Sequence, residues 1–148
     1  MLKTRKIGMT CSAKMLYLFF AAVIMCNLFA TAVAAANVSD TRHTTSSSVS
    51  MTNFRIKEND TSCYIYNDSS SCAVAVQVYG SNYSDGMGKV NDSYFPYGIA
   101  VPVGQKKSIP NLVYEHNHTY AALQLSGADS YGVTISVLWS PDSTRNYG

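Results

Sequence analysis

Two stretches of this chain alternate apolar and polar residues with a period of two, and they limit its fold more than any other feature. Residues 72–79 place Val74, Val76 and Val78 on one side. Residues 131–139 place Val133, Ile135, Val137 and Trp139 on one side, with Thr134 and Ser136 opposite. Successive side chains of a strand point to opposite faces, so this pattern describes strands with one face buried and the other wet. Weaker candidates cover residues 52–57, 64–66, 98–103, 107–109, 112–115 and 119–125. Turn signals lie between them at Asn67-Asp68, Asp85-Gly86, Gly104, Pro110-Asn111 and Gly127-Ala-Asp129. No segment after residue 36 sustains a 3.6-residue apolar repeat. Seven or eight short strands in about 100 residues predict an all-β fold, an antiparallel, Ig-like β-sandwich or a small barrel.

The N-terminus has a different character. Lys3, Arg5, Lys6 and Lys14 precede an uncharged, strongly apolar run that closes on Ala30-Thr-Ala-Val-Ala-Ala-Ala36. A basic region, an apolar region and small-residue A-x-A sites together predict a cleavable secretion signal over residues 1–36. Two such sites overlap, so the mature chain is expected to start at Ala35 or Asn37. A retained membrane anchor fits less well, because the last third of the run is Ala and Thr rather than Leu and Ile. A lipoprotein signal would want a small residue before Cys26, where Met25 stands. The protein is therefore expected in a secreted, periplasmic or cell-surface location, with no stable membrane span after cleavage.

Cleavage changes the bulk properties. All nine acidic residues but only seven of the eleven basic ones follow the signal, so a formal charge of +2 becomes about −2. Neither nucleic acid nor an anionic membrane is an expected partner on charge. About 112 residues remain, enough for one domain. Residues 37–50 are Ser/Thr-rich and read as a flexible polar leader, and residues 51–148 as the sandwich domain.

Of four cysteines only Cys63 and Cys72 survive cleavage, and an even pair in an exported domain predicts a disulfide. If Asn67-Asp68 forms a two-residue hairpin loop, the two cysteines face each other where antiparallel strands approach most closely. A longer loop over residues 67–71 would put the same bridge at its neck. In either case the closed loop is short, and the bridge adds only about 2 to 3 kcal/mol.

Sites for chemistry are sparse. His116 and His118 share a strand face and could meet one metal, but the third imidazole, His43, lies in the leader. A solvated turn is the preferred reading, and no metal site or cofactor is expected. There is no G-x-S-x-G motif, and Gly86-Met-Gly88 lacks the strand and helix of a phosphate loop. No catalytic set is recognisable, which predicts a protein that is not an enzyme.

Residues 79–97 stand apart, with four tyrosines and a phenylalanine among Gly, Ser, Asn and Asp. Rigid aromatic faces with polar tips, beside short adaptable polar side chains, are the composition of binding loops. Tyr79, Tyr83, Asp85, Asn91, Asp92, Tyr94 and Tyr97 are the candidate binding residues. Six N-x-S/T triplets begin at Asn37, Asn59, Asn67, Asn82, Asn91 and Asn117. They would imply a glycoprotein in a eukaryotic secretory pathway, whereas the Ala-rich cleavage region suits a bacterium.

The leading reading is an exported recognition protein of adhesin, fimbrial or lectin-like type, whose partner is a surface glycan or protein. The alternating strand 131–139 resembles those of bacterial fimbrial subunits over about nine residues. Such subunits carry an apolar donor strand at the N-terminus, where this chain has its Ser/Thr-rich segment. The alternative is a periplasmic or secreted inhibitor or immunity protein that blocks an enzyme or toxin. A third class is a secreted hydrolase with a site assembled from scattered residues.

Overall fold

In the computed structural model the described residues are 37–129, 132–144 and 146–147. Residues 1–36, on which the secretion-signal expectation falls, and Tyr131 and Arg145 lie outside them. Ten strands follow one another: β1 Thr41–Thr45, β2 Val49–Met51, β3 Arg55–Ile56, β4 Cys63–Tyr66, β5 Val74–Ser81, β6 Val90–Asn91, β7 Ile99–Val101, β8 Lys106–Ile109, β9 Tyr120–Gly127 and β10 Ile135–Ser140. No helix occurs among the described residues. All strand pairs are antiparallel and form two sheets.

The larger sheet is built on β5 and β9, which pair over eight residues from Val74↔Gly127 to Ser81↔Tyr120. Both carry an apolar row on the core face, Val74, Val76 and Val78 on β5 and Ala121, Leu123 and Leu125 on β9. Short strands line the two outer edges: β2 and β3 on β9, β6 and β7 on β5. Between β2 and β3 the Thr52 amide donates to Leu123 O, and Thr52 Oγ1 accepts from the Leu123 amide, so a side chain replaces one rung. The smaller sheet has the order β1-β10-β4-β8. Leu112–Glu115, expected as a strand, is instead a turn.

A single apolar cluster draws on both sheets. Val74, Val76, Val78, Leu123 and Leu125 from one meet Ile65, Ile109, Ile135, Val137 and Trp139 from the other, all essentially fully buried. Each such aliphatic side chain contributes about 1.5 to 3 kcal/mol on leaving water. The period-two faces of β5 and β10 are thus the two halves of the core.

The Ser/Thr-rich segment 37–50 was expected to be flexible, yet it carries β1 and β2. Its order comes from backbone pairing and polar side chains rather than burial of apolar ones. Thr41↔Trp139 through Thr45↔Ile135 join β1 to β10. Arg42 forks onto both carboxylate oxygens of Asp68 at 3.1 and 2.6 Å and also reaches Ser136 Oγ. An edge strand has water on one side, so polar residues suit it.

The disulfide expectation is overturned, since Cys63 and Cys72 are free thiols. No hairpin joins β4 to β5; β4 pairs β10 and β8, while β5 belongs to the other sheet. Asn67 turns the corner between them. Its side-chain amide donates to Cys72 O at 3.2 Å and Val101 O at 2.9 Å, and its backbone pairs with Gln105 O and the Gly104 amide. Cys72 is therefore tied to the Asn67 end of β4, whereas Cys63 starts that strand about 13 Å away at 3.3 Å per residue. Disulfides need Cα atoms within about 7 Å. Burial pushes the Cys63 thiol up to about 12, which keeps it protonated and unreactive. Asn67 is also wholly buried, so its N-D-S triplet cannot carry a glycan in this fold.

Two outcomes follow from this arrangement. Replacing Asn67→Ala leaves two buried carbonyls without donors and should cost at least about 2 kcal/mol, read from the urea midpoint. Adding a thiol reductant should leave the melting temperature unchanged, and a fall of several degrees would mean that a bridge forms after all.

Candidate functional site

The segment 79–97 leaves the end of β5, forms a loop over residues 82–89, pairs back as β6 and then runs through residues 92–98 to β7. Glycines make this path possible at two points. Gly86 has a left-handed φ of 77°, and a side chain there would run into the Phe54 ring, so the loop lies directly on that ring. Gly98, with φ 83°, turns the chain into β7 beside the Val76 carbonyl.

The seven candidate residues fall into four groups. Tyr83, Tyr94 and Tyr97 are exposed, at 58%, 60% and 95% of their full accessible surface. Phe95, not singled out from the sequence, is also exposed and meets the Tyr94 ring edge to face at 5.3 Å. Asp85 and Asn91 shape the turns: Asp85 Oδ1 accepts from the Met87 amide at 2.9 Å, and Asn91 Oδ1 from the Ser93 amide at 3.0 Å. Tyr79 is half-buried on β5 opposite Asn91 and Ala122. Asp92 is buried and faces away from solvent.

Asp92 instead holds a clasp that joins distant parts of the chain. Its carboxylate accepts from His116 Nδ1 at 2.8 Å and from His118 Nδ1 at 2.6 Å. A carboxylate only accepts, so each imidazole carries a proton on Nδ1. The Asp92 amide donates to Val78 O, and Asp92 O accepts from the Leu112 amide, which fixes the turn 112–118 against β5. Asn117 takes a left-handed φ of 59° at the tip, and the His118 amide closes the turn onto Val113 O. Gly80 makes room for the clasp: a Cβ there would sit 1.9 Å from Asp92 Oδ2 and 2.5 Å from His118 Nδ1.

The two histidines belong to a turn, the preferred reading, but both bond a buried carboxylate instead of projecting only into solvent. Their rings lie 6.4 Å apart and nearly perpendicular. Among the described residues no group of three or more His, Cys, Asp or Glu is arranged to hold a metal ion. His116 is 51% exposed and His118 16%, and neither bonds a serine hydroxyl or a thiol among the described residues. The arrangement anchors the 112–118 turn to Asp92, two residues before Tyr94 in the chain. Its sequence signal was the Asn-rich turn with two histidines; the partner carboxylate, 24 residues upstream of His116, had no local signature.

Beside the 82–89 loop, Met51, Thr52, Asn53, Phe54, Ser84, Asp85 and Lys89 line a shallow hollow of about 320 Å³. Polar groups of both charges there surround one aromatic ring.

Gly80→Ala is expected to destabilise the protein by at least about 2 kcal/mol in chemical denaturation, because the methyl group overlaps the clasp. The same variant should broaden the His116 and His118 ring signals in NMR spectra while leaving those of His43 unchanged. No curated protein and no solved structure matches the chain. A family model does match residues 30–143, and the chain belongs to that family, DUF2712, whose members are described as proteins of unknown function.

Proposed function

We propose that this protein acts outside the cytoplasm as a non-enzymatic recognition module. Its two sheets would form a β-sandwich that presents the 82–98 segment to a surface glycan or protein. The observation that carries this reading is the run of exposed aromatic side chains at Tyr83, Tyr94, Phe95 and Tyr97. Burying rings stabilises a fold, and large apolar side chains left together in water mark binding surfaces. Phe54 and Trp139 show that this chain can place aromatics against its own structure; the loop rings are not used that way.

The base of the segment is held firmly. Ser93 Oγ bonds both the amide and the carbonyl of Val78, and the Gln77 side-chain amide donates to Pro96 O. The clasp at Asp92 adds two more hydrogen bonds. A loop braced in this way loses little conformational entropy on binding. Aromatic faces stack on sugar rings, and Asp85 and Lys89 in the adjoining hollow supply hydrogen-bonding partners for hydroxyl groups. An inhibitor of an enzyme or toxin would use the same rings against a protein surface.

The test is a glycan array and a cell-binding assay with the parent protein, Tyr94→Ala and Tyr97→Ala. Both variants should weaken binding at least about tenfold, as truncation of an aromatic anchor does, while unfolding shifts by less than about 0.5 kcal/mol. Unchanged binding by folded variants would remove the loop from the interface.

A further inference from the structure

The first described residue, Asn37, is bonded at every polar group of its amide and side chain. Its side-chain amide donates to Ile56 O at 2.9 Å, and its Oδ1 accepts from Arg55 Nη2 at 2.9 Å and Ser39 Oγ at 3.2 Å. Its backbone nitrogen donates to Asp142 Oδ2 at 2.9 Å. Asp142 is wholly buried, with Lys57 Nζ on its other oxygen at 2.9 Å and the Glu58 amide on Oδ2 at 3.0 Å. Lys57, equally buried, also donates to Pro141 O and Thr61 O.

Something is missing from this network when the Asn37 nitrogen is an amide with a single proton. Glu58 Oε2 is buried and has no hydrogen-bond partner. The Asn37 and Glu58 nitrogens share one acceptor atom, so they lie within about 6 Å of each other. The buried ammonium that Asp142 bonds directly is Lys57. Arg55 is held on Ser39 O and Trp139 O, with both Asp40 and Asp142 as negative neighbours.

We propose that proteolytic processing occurs between Ala36 and Asn37, and that the new α-ammonium of Asn37 docks on Asp142 as part of the folded structure. Hydrolysis of the Ala36–Asn37 peptide bond by water leaves a carboxylate on the released segment and the amine on Asn37, which takes up a proton. That group brings three donors where the amide has one. One stays on Asp142 Oδ2, now as a charge-assisted hydrogen bond, and the other two are available to neighbouring acceptors, among them the side chain of Glu58, whose backbone nitrogen bonds the same Asp142 oxygen. The new positive charge sits directly on the buried Asp142 carboxylate, whose other oxygen bonds Lys57 Nζ. Asn37 is half-exposed, so the new charge keeps part of its hydration. A start at Ala35 would leave the Asn37 nitrogen a neutral amide and move the charge two residues away.

This inference rests on the export reading, and the experiment separates the two. The full-length gene is expressed in a secreting host, and the intact mass of the product is measured. A product starting at Asn37 supports the inference. One starting at Ala35 overturns it and leaves export standing, and a cell-retained chain that keeps residues 1–36 overturns both. The secreted protein is then unfolded, acylated selectively on its α-amine at mildly acidic pH where lysines stay protonated, and refolded. Acylation is expected to raise the unfolding equilibrium constant by roughly fivefold or more, the margin between a charged and a neutral hydrogen bond. In Glu58→Gln the effect of acylation should shrink. Equal stability of the free and acylated forms would show that the ammonium has no place in the fold.

Discussion

The register between β5 and β9 governs most of this molecule. Eight successive pairs set Val74, Val76 and Val78 against the core and leave Ala75, Gln77 and Tyr79 on the other face. The short strands of the larger sheet all attach to one of these two. The same register brings Gly80 opposite Ala121, where the missing side chain leaves space for the Asp92 carboxylate and the His118 ring. A slip of one residue would turn the valines to water and bring Tyr79 or Ser81 into that space. Core and clasp therefore depend on a single alignment.

Around that ladder the chain relies on three buried polar side chains where a larger protein would use more apolar contact. Asn67 turns the chain from one sheet to the other. Asp92 ties the 112–118 turn to β5, and Asp142 ties the C-terminal segment to Lys57, Glu58 and Asn37. Asp92 and Asp142 each accept from several donors, which is what makes burial of such groups tolerable, whereas Asn67 donates through its side-chain nitrogen to two carbonyls and keeps a buried Oδ1 without a partner. Removing one partner exposes the full desolvation cost of those left behind, so these positions tolerate little change. The exposed rings at Tyr94, Phe95 and Tyr97 follow directly after one of these anchors in sequence.

The strands that combine a strict period with β-branched residues were legible from residues alone, namely β5 and β10, and β9 in outline. Thr41–Thr45 and Val49–Met51 were not, because a polar edge strand is held by the backbone of its neighbour and carries no apolar signature. Leu112–Glu115 looked like a strand and became a turn, since Val113 alone of the four is buried. Within the candidate site, composition pointed to the aromatic segment but could not sort it. Asp85, Asn91 and Asp92 read alike in a loop, yet two of them shape turns and the third lies beneath two imidazoles.

Local pattern by itself pointed to the all-β fold of the described residues, to the buried valine face of β5 and the apolar row of β10, and to the aromatic rings gathered in residues 79–97. Those properties depend on residues a few positions apart, so the alternation of side chains along a strand is enough to reveal them. The tertiary structure alone decided that β4 and β5 belong to different sheets and keep Cys63 from Cys72. It also decided that Asp92 meets two histidines and that Asp142 receives the nitrogen of Asn37. These are pairings across 24 to 105 positions, made by short polar side chains that serve equally well in an exposed turn. Only the packing of the two sheets distinguishes the buried anchor from the turn residue, because burial is a property of what surrounds a residue and not of the residue itself.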